Sequence, residues 1–101
     1  MEETGFQVEE TQQSLKAQMV RQLRLLGEAT AGVWEQAVFG LLTGHTRDDL
    51  DWSHQANRTG YRLWIATFSQ LVGELVVQGA VRREVRNGRS FLSAAPAEAS
   101  N

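Results

Sequence analysis

The dipeptide Asn87-Gly88 lies between the runs VRREVR and RSFLS. Asn-Gly flanked by such runs is the strongest short-range hairpin signal, because a two-residue type I′ turn needs positive φ at both positions. It predicts strands over residues 80–86 and 89–94. Val81, Val85 and Phe91 supply the apolar positions, and Arg82, Arg83, Arg86 and Arg89 fill most of the places between them. From Thr11 to the hairpin, the long apolar patterns have the helical period. The chain is therefore predicted to be mainly α with a small β-hairpin.

The helices follow from apolar spacing. Leu15, Met19, Leu23 and Leu26 recur at intervals of four, four and three, one stripe of a helix over residues 11–27 that Gly27 ends. In EATAGVWEQAVFGLLTG, the residues Val33, Trp34, Ala37, Val38, Leu41 and Leu42 make a stripe too broad for a surface helix. This segment is the expected central helix, stopping at Gly44. Thr46 and Asp49 have capping-box spacing, and Asp48 and Asp49 suit a helix N-terminus, so a short helix is expected over 47–56 with Leu50 as its core anchor. NRTG at 57–60 has turn composition. A long helix is then expected from Tyr61 to Gly79, with Trp64, Phe68, Leu71 and Leu75 inward. Residues 1–10 are read as a flexible acidic arm whose Phe6 and Val8 are candidates to dock on the body, and 95–101 as a disordered tail.

At 101 residues the chain has room for one domain. It has no cysteine, which removes disulfides, thiolate metal sites and cysteine nucleophiles. No apolar run approaches a membrane span, and MEETGFQVEE lacks the apolar core of a signal peptide, so a cytoplasmic protein is the expectation. Charge is uneven. Residues 1–53 carry four basic and nine acidic side chains, whereas 54–93 carry six arginines and two glutamates. A net charge of −2 thus hides a basic second half, of the kind that steers a polyanion to one face.

The stretch TFSQLVGELVVQGAVRREVRNGRSFLS resembles the winged helix-turn-helix family. Phe68, Leu71 and Leu75 match the regular apolar residues of a recognition helix. Gly79, Val81, Arg82 and Arg83 match the glycine, apolar residue and basic residues that open a wing. The resemblance covers about residues 29–94, with the helix over 11–27 as an extra N-terminal helix and no strand between the central helix and Thr46. It implies double-stranded DNA binding, sequence-specific or architectural, by a transcriptional regulator or DNA-organising factor.

In that family the recognition helix enters the major groove and the wing meets the backbone or minor groove. Residues 61–78 would be the recognition helix and 80–94 the wing. Arg82, Arg83, Arg86 and Arg89 would contact phosphate, Arg58 and Arg62 would reach flanking phosphates, and Gln70 would read an adenine edge. Arginines on an edge hairpin also discourage strand-to-strand aggregation. The stripe of Leu15, Met19, Leu23 and Leu26 must be buried, against its own core or a second copy. A homodimer through it would set two recognition helices on two half-sites. The rival reading is a protein-binding winged-helix module or adaptor, using the same stripe and Trp52, with the arginines on an acidic partner.

Catalysis is not expected. No G-x-S-x-G, P-loop or G-x-G-x-x-G occurs. His45 and His54 are nine residues apart with Asp48, Asp49 and Asp51 between them, which fits no familiar metal-ligand spacing. No cofactor or metal is expected.

Overall fold

The computed structural model describes residues 5, 6 and 10–96. Most of the expected arm over 1–10 and of the tail over 95–101, Val8 included, lies outside the described residues. In chain order come α1 (Gln12–Leu26), α2 (Ala31–Thr43), a 3₁₀ turn (Arg47–Asp49), α3 (Gln55–Val77), β1 (Val81–Arg86) and β2 (Arg89–Ala94).

Each early helix has a threonine cap. The hydroxyl of Thr11 accepts the Ser14 amide at 3.2 Å, and that of Thr30 accepts the Val33 amide at 3.4 Å. Gly27 ends α1 at φ 82° and donates its amide to the Leu23 carbonyl. That φ lies where a Cβ is unfavourable, which is why a glycine stands there. Leu15, Met19 and Leu23 are buried along α1, and Trp34, Val38 and Phe39 along α2. A buried indole N–H needs an acceptor. Trp34 finds one in the Met19 carbonyl, 2.8 Å away, which ties α2 to α1.

Two expectations are corrected between α2 and α3. The short helix over 47–56 is only the three-residue 3₁₀ turn. Its capping box is complete: Thr46 donates its amide to Asp49 Oδ2 at 3.0 Å, and Asp49 donates its amide to Thr46 Oγ1 at 3.2 Å. Leu50 then turns extended (φ −76°, ψ 144°) and buries its side chain, so it anchors the core as expected but outside any helix. Asp51 Oδ1 accepts both the amide and the hydroxyl of Ser53, a local turn that competes with helix. The second correction concerns NRTG, which lies inside α3. Asn57 is buried there, donating its amide to the Asp51 carbonyl at 3.0 Å and accepting the Phe6 amide at 3.2 Å. Tertiary partners thus satisfy the polar side chain that would otherwise favour a turn.

The hairpin forms as its Asn-Gly predicts, with Asn87 at φ 53° and Gly88 at φ 78°. Val81 pairs with Ala94, Arg83 with Leu92, Glu84 with Phe91 and Arg86 with Arg89. Ala29 bridges antiparallel to Leu92 on the other edge of β2, through reciprocal backbone hydrogen bonds of 3.0 and 2.8 Å. This bridge precedes α2, a place where no strand was expected. It closes the order Ala29–β2–β1 and seats the hairpin on the helices through Val81 and Leu92, both buried.

The N-terminal helix is not an addition to a smaller core. It packs on α2, β2 and α3, and Leu15, Met19 and Leu23 are at most 3% exposed. Of the stripe expected to bury against its own core or a second copy, Leu15, Met19 and Leu23 are buried within the chain and Leu26 is 37% exposed.

Candidate nucleic-acid interface

One face of α3 is given to the core by Trp64, Phe68, Leu71, Val72 and Leu75. Helical periodicity then turns Arg62, Ala66, Ser69, Gln70 and Gly73 outward, and all five are exposed. Leu63 and Val77 share the outer side, 63% and 87% exposed. Ala66, Ser69 and Gly73 make a small-residue strip along this face, and one acid, Glu74, stands at its edge.

That acid is compensated. Lys16 of α1 lies 2.7 Å from Glu74 Oε1, and Gln70 donates its side-chain amide to Oε2 at 3.1 Å. The Lys16 hydrogen bond, then that of Gln70, holds the Glu74 carboxyl below its ordinary pKa. The i, i+4 spacing of Gln70 and Glu74 was visible in the sequence. The Lys16–Glu74 pair spans 58 residues and was not. Gln70 faces outward as expected, with one amide hydrogen committed to Glu74.

Strand alternation divides the hairpin into two faces. Arg82, Glu84 and Arg86 share one with Phe91 and Arg89, while Val81, Arg83 and Val85 share the other with Leu92 and Ser90. Arg82, Arg83 and Arg89 are exposed and, like Arg62, have no side-chain ion pair or hydrogen bond among the described residues. Arg86 differs. Its Nη2 is paired with Glu28 Oε1, its Nε lies 3.9 Å from Glu84, and its guanidinium sits 4.4 Å from the Phe91 ring centre. The Glu28 hydrogen bond raises its pKa further. Arg58 is also engaged: Nη1 donates to the Trp52 carbonyl at 2.6 Å and braces the turn before α3. The six expected phosphate contacts thus divide into four uncommitted arginines and two with intramolecular partners.

The residues of the other readings have also been placed. Trp52, 37% exposed, donates its indole N–H to the Arg47 carbonyl at 3.0 Å and packs edge-on against Tyr61. His45 pairs with Asp49 and His54 with Asp51, and no group of three or more metal-binding side chains occurs among the described residues. No helix among them is long and apolar enough to cross a membrane. Sequence reasoning missed Glu35, Glu28 and Lys16, each defined by a partner distant in the chain.

No protein-family model matches the chain, and no curated protein or solved structure matches it.

Proposed function

We propose that the chain is a winged-helix module that binds double-stranded DNA non-catalytically, as a regulator or DNA-organising factor. The observation that carries this reading is the set of uncommitted arginines: Arg62 on the outer face of α3, and Arg82, Arg83 and Arg89 on the hairpin that follows it. Long cations on a protruding element suit phosphate contact, and the small Ala66, Ser69 and Gly73 on the outer side of α3 suit close approach to a groove. The isolated bridge of Ala29 to the free edge of β2, which ties the hairpin to the start of α2, supports the winged-helix reading.

The test is fluorescence anisotropy with a labelled mixed-sequence duplex at two salt concentrations, beside an Arg82→Ala/Arg89→Ala variant. Non-specific binding at roughly 10⁻⁴–10⁻⁶ M near physiological salt is expected, weakening steeply as salt rises. The variant should lose about 0.9 from the salt slope for each phosphate contact removed. No binding at low salt would reject DNA as the partner.

One observation favours a protein partner instead. Leu63 and Val77 are large apolar side chains left exposed on the same face of α3. A Leu63→Ser/Val77→Ser variant that weakens duplex binding would place these side chains at the DNA and count against that second reading.

A further inference from the structure

Arg86 holds an odd place in the wing. It is directly opposite Arg89 across the hairpin, where like charges repel. It is also the only wing arginine with an ion pair among the described residues. Its three neighbours are not scattered. Glu28 precedes Ala29 in the chain, and Phe91 precedes Leu92. Ala29 and Leu92 are the residues of the single bridge that joins the hairpin to the helical body beyond its own two strands. The Arg86 side chain therefore spans from the end of β1, over the Phe91 ring on β2, to the corner between α1 and α2.

From this we infer that Arg86 is a positioning residue of the wing rather than one of its phosphate contacts. Its guanidinium clasps the tip of β1 to Glu28 and sets the hairpin's angle to α3, while Arg82, Arg83 and Arg89 are left to meet the nucleic acid. The inference rests on the DNA-binding reading for its consequence, but the clasp itself is a property of the free protein. An ion pair with both side chains nearly half exposed is weak on its own. Here it acts beside a ring contact and two backbone hydrogen bonds, all at one corner, so it selects among wing orientations without being needed for folding.

The two roles predict opposite signs for a change at Glu28. If Arg86 were a phosphate contact, Glu28 would compete with DNA, and Glu28→Gln would free an arginine, tighten binding and steepen the salt slope by about 0.9. As a positioning residue, Arg86 loses its anchor in Glu28→Gln, and binding weakens with the slope unchanged.

The experiment uses the full chain as wild type, Glu28→Gln, Arg86→Ala and Arg89→Ala, in two measurements. The first is amide hydrogen exchange of Ala29 and Leu92 by NMR without DNA. Glu28→Gln and Arg86→Ala should each speed both amides by roughly twofold to fivefold, the scale an exposed pair supports, and Arg89→Ala should leave them unchanged. The second is duplex anisotropy against salt. Glu28→Gln and Arg86→Ala should weaken binding at the wild-type slope, and Arg89→Ala should lower the slope by about 0.9. Tighter binding by Glu28→Gln, or unchanged exchange in both clasp variants, overturns the inference. If the wild type binds no duplex, the DNA reading fails, and the exchange measurement alone decides whether Arg86 orders the hairpin.

Discussion

Glu35 is a carboxylate only 4% exposed. The hydroxyl of Tyr61 lies 2.9 and 2.8 Å from its two oxygens, and Trp64 donates its indole N–H at 2.7 Å. Burial, and then the hydrogen bond and charge of Glu35, push the Tyr61 hydroxyl up to about 12 from 10.0, with Arg47 opposing them. A raised native pKa means that the native state holds its proton while the unfolded chain releases it. The resulting stability is complete below pH 10 and is lost as pH rises from about 10 to 12. Urea unfolding across that window should show a decline that Tyr61→Phe lacks; equal declines in the two proteins would refute the linkage. Glu35→Ala leaves the buried Trp64 indole N–H and the partly buried Tyr61 hydroxyl without their acceptor, and a buried donor costs about 1–3 kcal/mol. A loss of at least 2 kcal/mol is expected in urea unfolding, about one donor's worth or more. In the sequence Glu35 stands beside Gln36, outside the apolar stripe of its helix. Only α3 across from it explains its burial.

At the scale of elements, α3 shows where local signals yield. NRTG has turn composition, yet it lies in a helix because Asn57 is satisfied by Asp51 and Phe6, and Gly60 makes room for an aromatic ring. A Cβ built on Gly60 would come within 3.2 Å of Phe6 Cζ. That ring packs edge-on against Phe39 at 4.9 Å and against Tyr61 at 6.5 Å. Glycine in a helix interior costs about 1 kcal/mol relative to alanine. In a Phe6→Ala background, Gly60→Ala should therefore stabilise by about 1 kcal/mol. In the native chain the gain should shrink or reverse as the ring is displaced. A thermal double-mutant cycle measures the difference, and equal effects in both backgrounds would remove the steric account. The hairpin and the stripes of α1 and α3 were legible beforehand because turn chemistry and helical period are local. The start of α3 was not, because its decisive contacts come from Phe6 and Asp51.

At the scale of the molecule, the uncommitted arginines belong to α3 and the hairpin, and the acids near them are held. Lys16, on α1, offsets Glu74 at the edge of the presented face. On the DNA-binding reading proposed above, Lys16→Gln should uncover that carboxylate and reduce duplex affinity by roughly twofold to fivefold, the scale of one exposed charge interaction. Lys16→Gln/Glu74→Gln should restore it. Anisotropy at low salt checks both, and a Lys16→Gln variant with native affinity would show that Glu74 does not face the DNA. Charge counted along the chain located the basic half correctly. It did not sort the arginines, because Arg58 and Arg86 are engaged by groups that folding brings to them.

The chain's local patterns are enough to determine that it is mainly helical, where its hairpin turns, and which faces of α1 and α3 are apolar. These rest on backbone preferences and on periodicity within a few residues. Tertiary structure decided the rest: that Leu15, Met19 and Leu23 of α1 are buried within the chain, that Ala29 bridges to β2, that Glu35 is buried, and that Arg86 is held while Arg82, Arg83 and Arg89 are not. Each depends on a partner far along the chain, and burial and pairing across that distance exist only once the helices have packed.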